Sequence, residues 1–423
     1  MNIDEIINSI DSNNLTIAFG RVVNISAVTL SAVGLDVAVG DIVRIESAQK
    51  LYTVLGMVTV LKDGLFVIVP FSFIDGFKIN DKVFLQRDGL TVKCGNGLLG
   101  RVVNALGDPI DDLGKIRDLD TNAPINKESM SPLDRGIIDK KFATGVKAID
   151  SMLTCGKGQK VGIFAGSGVG KSTLMGMIVQ GCEATIKVIA LVGERGREIP
   201  EFIHYNLNNN LENTVIVTAT SDESPLMRKY AAFTAMTIAE YFRDKGYDVL
   251  LMMDSVTRFA MAQREIGLST GEPPVSRGYP PSVFALLPQL MERAGNSKKG
   301  SITAFFTVLV DGDDLNDPIA DQSRSILDGH IVLTRDLTEQ GFYPPINILK
   351  SASRVIDKVV TKEHYNDFLK LKRVLSLIKE NEVLIRVGAY KKGMDLELDS
   401  AIAKKEKARE FLTQGSLEKY SFD

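Results

Sequence analysis

Nine consecutive residues, Ala165-Gly166-Ser167-Gly168-Val169-Gly170-Lys171-Ser172-Thr173, carry the densest chemical signal in the chain. They follow an apolar run, Val161 to Phe164, and lead into another, Leu174 to Val179, so the spacing predicts strand, glycine-rich loop and helix in that order. Gly166, Gly168 and Gly170 let successive backbone N–H groups turn inward around phosphate oxygens, and a helix N-terminus adds positive partial charge. In that frame Gly166 through Thr173, with Ser167 and Val169, form the cradle, Lys171 reaches the β and γ phosphates of a nucleotide, and the Ser172 hydroxyl ligates Mg2+. Ala165 stands where the strict pattern has glycine; a small residue there leaves the cradle intact. A chance glycine-rich turn is the bland alternative, and eight matching residues in context argue against it.

Two carboxylates extend the constellation. The run Val249 to Met253 ends in Asp254, which fits a metal-supporting carboxylate on the strand neighbouring the loop, or, taken alone, a helix cap. The run Val188 to Val192 ends in Gly193-Glu194-Arg195-Gly196-Arg197-Glu198. At the carboxyl end of a strand next to the phosphate loop, Glu194 would align a water on the γ-phosphate. Spacing alone equally allows a solvated cluster of alternating Glu and Arg.

These residues need a scaffold that brings strand ends together. From about Gly100 to Lys350, strands alternate with helices, which predicts a doubly wound parallel sheet, an α/β core. Its candidate strands are Val161 to Phe164, Val188 to Val192, Val215 to Ala219, Val249 to Met253 and Ile302 to Leu309, nearly continuous apolar runs suited to burial on both faces. Pro225 to Asp244 reads as a helix capped by Ser224, with proline in its tolerated first position. Ahead of the core, residues 15–93 are short β-branched runs, predicting a small barrel or sandwich with hairpin turns at Asp63-Gly64 and Asp88-Gly89. Cys94 to Gly100 reads as a glycine-rich linker into a core spanning 94–350. Beyond it, in 351–423, Phe368, Leu371, Leu375 and Ile378 mark one face of a helix in a helical domain. Residues 1–14 place Ile3, Ile6, Ile7 and Ile10 on one stripe of a short helix, a core cap or a docking element.

With 423 residues, 44% of them hydrophobic and 24% charged, the chain is an ordinary globular one with room for about three domains. Lys plus Arg number 50 against 53 Asp plus Glu, so no basic excess points to nucleic acid or an anionic membrane, and any anion site must be local. Cys94, Cys155 and Cys182 fit free packing thiols of a reducing cytoplasm. No run reaches the roughly 18 apolar residues of a membrane span, and the acidic start lacks the pattern of an export signal.

Four longer runs occur in order: Gly193-Glu194-Arg195-Gly196-Arg197-Glu198, Asp254-Ser255-Val256-Thr257-Arg258, Glu272-Pro273-Pro274-Val275-Ser276-Arg277-Gly278-Tyr279-Pro280-Pro281-Ser282, and Pro344-Pro345-Ile346-Asn347-Ile348-Leu349-Lys350-Ser351-Ala352-Ser353. Together they resemble the export ATPases of flagellar and virulence type III secretion systems, homologues of the catalytic subunit of the rotary ATP synthase. The resemblance covers essentially the whole chain. It implies ATP as substrate with Mg2+, a RecA-like P-loop core behind a β-barrel, Glu194 activating the attacking water, Lys171 and Ser172 on phosphate and metal, and Asp254 supporting the metal. It further implies that Tyr343 stacks on adenine and that Arg354 is an arginine finger reaching the neighbouring subunit's site, with Arg195 and Arg258 ordering its surroundings. A homohexamer is implied too, its pore lined by loops around Pro273 to Tyr279. The implied partners are a stator-like regulator at the N-terminus, a stalk in the ring, an export gate, chaperones and cargo. The implied location is the cytoplasm, peripheral to the inner membrane, with no nucleic acid bound.

Three alternatives share much of this pattern. A noncatalytic ring subunit would lack Glu194. An RNA translocase would need a basic, aromatic-studded platform, and the chain has no Trp and no basic excess. A virulence injectisome ATPase would run the same chemistry; the runs Asp311 to Pro318 and Gln322 to His330 look more like flagellar members.

Overall fold

The computed structural model describes residues 18–47, 52–310 and 314–422. The isoleucine stripe of residues 1–14 lies outside them, and so does its expected docking role.

Six strands, β1 (Gly20–Ile25), β2 (Leu30–Val33), β3 (Ile42–Glu46), β4 (Thr53–Lys62), β5 (Leu65–Pro70) and β6 (Lys82–Gln86), close into a barrel in the order β1-β2-β5-β4-β3-β6. Alternate residues, among them Val43, Ile45, Phe66 and Ile68, fill its interior. Asp63 and Gly64 both take positive φ, the geometry of the two-residue turn that joins β4 to β5. The second expected hairpin is not one. Strand β7 (Thr91–Cys94) pairs not with β6 but with β9 (Thr121–Pro124), so the chain at Asp88-Gly89 leaves the barrel instead of turning back on it. The residues from Cys94 to Gly100 are likewise a packed connector rather than a linker: a side chain at Gly95 or Gly97 would run into the backbone of Arg117 and Asp118.

The core sheet runs β16 (Ala352–Ser353), β15 (Gly329–Val332), β10 (Lys160–Ala165), β14 (Ser301–Leu309), β13 (Asp248–Asp254), β11 (Ile186–Glu194), β12 (Thr214–Thr220), β8 (Val102–Val103). Along this path all neighbours pair in parallel except β16, which runs against β15, and a two-residue strand, Gly295–Asn296, also pairs antiparallel with β14. Burial of both faces explains the continuous apolar runs. Val188, Ala190 and Val192 point into one core cluster together with helix α2 (Pro225–Asp244), while Ile189 and Leu191 point into another with helix α1 (Lys171–Gly181). Helix α2 begins as its sequence predicts: Ser224 Oγ accepts from Met227 N, and Pro225 occupies the first turn. The same hydroxyl donates to Phe71 O at 2.9 Å, docking the barrel on the core.

Arg293, 1% exposed, pairs with Glu240 of α2, 3% exposed, in a buried two-pronged ion pair of 2.7 and 3.1 Å, and its Nη2 and Nη1 also donate to Thr237 Oγ1 and the Ile125 carbonyl. Behind the sheet, α4 (Lys362–Glu380) and α5 (Leu396–Leu412) pack together. The expected stripe on α4 divides its work: Phe368, Leu371 and Leu375 lie on the core, whereas Ile378 joins Leu377 and Leu398 between the helices. Among the described residues no helix is long and apolar enough to cross a membrane.

Candidate active site

The β10 strand ends at Ala165, and the chain turns through Gly166–Gly170 into α1. Gly168 (φ +75°) and Gly170 (φ +88°) hold left-handed backbone that an L side chain rarely adopts, which is why glycine stands at these two points. Ser167, Ser172 and Thr173 are exposed and Val169 is buried, so the loop presents its polar face outward.

Inside this mouth Lys171 Nζ lies 2.5 Å from Asp254 Oδ1 and 3.7 Å from Glu194 Oε1. The three side chains are 13%, 6% and 15% exposed. Burial alone would lower the lysine's proton affinity, but the two carboxylates more than offset this and hold its pKa above the ordinary value. Glu194 is the strained partner. Burial, with Asp254's negative charge beside it, pushes its pKa up from 4.5 to about 7. The backbone before it sets its aim: Gly193 (φ +69°) sits at a β-bulge against β12, and a Cβ there would come within 2.9 Å of Arg258 Cβ.

The expectation that Asp254 and Glu194 lie on strands next to the phosphate loop is corrected. β14 intervenes between β10 and β13, and β11 lies one strand further. Lys171 spans that gap with its long side chain, and β14 contributes Thr307, whose hydroxyl donates to Asp254 Oδ1 at 2.6 Å. Thr307 is not singled out by the sequence, where it is one of two threonines, with Thr303, in the apolar run from Ile302 to Leu309. Also missed were Asn206, whose Nδ2 donates to Ser172 O at 3.0 Å, and Glu198, whose charge adds to the pressure on Glu194.

The other expected residues fall outside this cluster. Arg195 is 68% exposed and faces Glu198. Tyr343, 47% exposed, precedes Pro344 and Pro345, and Pro345 packs against Gly170. Arg354 is exposed and donates to Arg324 O at 3.2 Å, the end of helix α3 (Pro318–Ile326). Its place in the sheet is informative. Ser353 pairs with Gly329, and Gly329 with Val161, at the start of β10, whereas the phosphate loop leaves that strand's far end at Ala165. Four residues of strand put the two ends roughly 13 Å apart. The polar donors at the mouth, the Ser172 hydroxyl and Asp254 carboxylate, are all oxygen, a set that fits a hard cation such as Mg2+.

A phosphate loop at the carboxyl edge of a parallel sheet, facing two acidic strand ends, defines a P-loop nucleoside-triphosphate hydrolase. Residues 145–353 match the model of the ATP synthase alpha/beta family, nucleotide-binding domain, and residues 360–423 that of the T3SS EscN ATPase C-terminal domain. A flagellum-specific ATP synthase of Helicobacter pylori is 59% identical over 397 residues, 94% of this chain and 91% of the relative. A type 3 secretion system ATPase of Xanthomonas euvesicatoria is 44% identical, covering 94% and 90%. Among solved structures, the assembled ATPase EscN of the enteropathogenic E. coli type III secretion system is 45% identical, covers 95% and 97% of the two chains and superposes with a TM-score of 0.91. EscN in complex with its central stalk EscO is 44% identical, with the same coverage and a TM-score of 0.88. The chain belongs to the flagellar and type III secretion ATPases of the ATP synthase alpha/beta family.

Proposed function

We propose that this chain hydrolyses ATP to energise export of flagellar proteins, working as a homohexameric ring at the cytoplasmic side of the export apparatus. The observation that carries the reading is the convergence of Lys171, Glu194 and Asp254 on the mouth of the phosphate loop. The flagellar assignment draws on the 59% identity to a flagellum-specific relative, against 44% to the type 3 secretion one.

Lys171 rests on Asp254 and, more loosely, on Glu194. An entering triphosphate competes for the ammonium, which leaves the acids for the β and γ phosphates. Ser172 and Asp254 would hold Mg2+, directly or through water, and the ion supplies charge neutralisation for the phosphates. Glu194, its lysine contact loosened, accepts a hydrogen bond from a water and aligns it behind the γ-phosphorus. The water oxygen bonds to phosphorus and gives up a proton to Glu194, which passes it to solvent, while the bond to the β–γ bridging oxygen breaks and ADP and phosphate leave. Such a reaction asks the protein mainly for positioning and charge.

Arg354 supplies no charge to its own loop from the opposite end of the sheet. This placement supports a finger offered to the neighbouring subunit, and so a head-to-tail ring. The stalk is proposed from the EscN–EscO complex. The test is ATPase rate per subunit against protein concentration. A steep rise with assembly is expected; a flat rate down to the monomer would remove the ring from the account.

A further inference from the structure

Resting on the reading of Tyr343 as the adenine-stacking residue, we propose that Gln414 is the positioning residue that holds the Tyr343 loop in place, so that the end of the C-terminal helix sets the affinity for the nucleotide base. Gln414 lies just past α5, is 2% exposed and uses every polar group of its side chain. Its backbone N–H donates to Tyr343 O at 2.9 Å. Its side-chain Oε1 accepts from Lys147 N at 2.7 Å, and Nε2 donates to Gly145 O at 2.9 Å and Glu418 O at 2.8 Å. One buried amide thus ties the loop to the segment that packs on the end of α1: a Cβ on Gly145 would stand 2.7 Å from Gly181 Cα.

The loop is held from two sides. Its far side is fixed to the sheet, where Thr334 N donates to Pro345 O and Asn347 N to Val332 O. Its near side is held by α5 and the turn just past it: Arg409 Nη2 donates to Gln340 O at 2.9 Å, and Gln414 takes Tyr343. A half-exposed aromatic ring can stack on a base only if the backbone beneath it is fixed. Here that backbone is pinned by a residue whose own side chain is fixed by three hydrogen bonds, the one to Gly145 O buried and the other two part-buried. None of these hydrogen bonds goes to Gly166, Lys171 or Ser172, and the loop approaches the phosphate end of the site only where Pro345 lies against Gly170.

The separation gives a test that a merely structural role would not pass. Equilibrium binding of MgATP and of magnesium tripolyphosphate, which has the phosphates and no base, is measured on the full chain for wild type, Gln414→Ala, Arg409→Ala and Tyr343→Ala. Gln414→Ala should weaken MgATP about tenfold while tripolyphosphate stays within about twofold, since stacking on an aromatic ring is worth that order of affinity. Arg409→Ala, at an exposed site, should shift the same ratio about threefold and covers the case in which Gln414→Ala fails to fold. Unchanged ratios in these two variants, with Tyr343→Ala shifting it, would overturn the Gln414 proposal. So would equal losses for both ligands. No shift in Tyr343→Ala would instead remove the adenine reading on which the proposal rests.

Discussion

Replacing Glu194 with Gln should abolish turnover and, at the same time, make the nucleotide-free protein more stable at alkaline pH. The carboxyl's pKa rises from 4.5 to about 7 on folding, and each unit corresponds to about 1.36 kcal/mol, so the ionised form strains the folded state by roughly 3 kcal/mol. Residual exposure of 15% lets water screen part of this, leaving about 2 kcal/mol. Between pH 4.5 and 7 the folded state holds more protons than the unfolded chain, so this group's contribution is full below 4.5 and is lost as pH rises through 7. Glutamine is neutral throughout and leaves the Lys171–Asp254 contact in place. Thermal melts of wild type and Glu194→Gln from pH 5 to 8.5 should therefore nearly coincide at the acid end and diverge by about 2 to 4 °C at the alkaline end. A pH-independent gap would refute the claim that Glu194 is strained by burial and by Asp254. Retained turnover in Glu194→Gln would remove it from the chemistry altogether.

The bulge makes Gly193→Ala damaging: a Cβ 2.9 Å from Arg258 on left-handed backbone should cut kcat by tenfold or more with binding of ADP retained, and a near-normal kcat would deny that the bulge aims Glu194. Arg293→Met strands the buried Glu240 charge and should cost about 3 to 5 kcal/mol, most of it recovered by adding Glu240→Leu; chemical denaturation of both variants checks this, and no recovery would mean the pair is more than an ion pair. Tyr343→Trp introduces the sole tryptophan, and its fluorescence should respond to ATP but not to tripolyphosphate.

Local signals in the sequence were easy to read because local physics produces them. The phosphate loop, the cap at Ser224 and the apolar strand runs each depend on a few neighbouring residues, and each appears in the fold where its residues predict. What could not be read is what long-range pairing decides. Strand order inserts β14 between the phosphate loop and its carboxylates, and nothing near Thr307 announces that it will meet Asp254. Asp88-Gly89 has the residues of a hairpin, yet β7 finds its partner far downstream, where Thr91 pairs with Pro124. Nothing in the sequence around Gln414 marks it, because Lys147, Gly145 and Tyr343 come from segments distant in the chain. Even Arg354, named by resemblance, acquires physical sense only from the register that seats it opposite its own loop.

The central claim is that each site is completed by an arginine from the next subunit. Mixing Arg354→Ala with Lys171→Ala chains, each inactive alone, tests it most directly. If Arg354 acts in trans, a one-to-one mixture contains interfaces that pair an intact phosphate loop with an intact finger. Random assembly of a head-to-tail ring makes these about a quarter of all sites, so activity should recover toward about 25% of wild type. Mixed rings verified by mass that stay inactive would contradict the account.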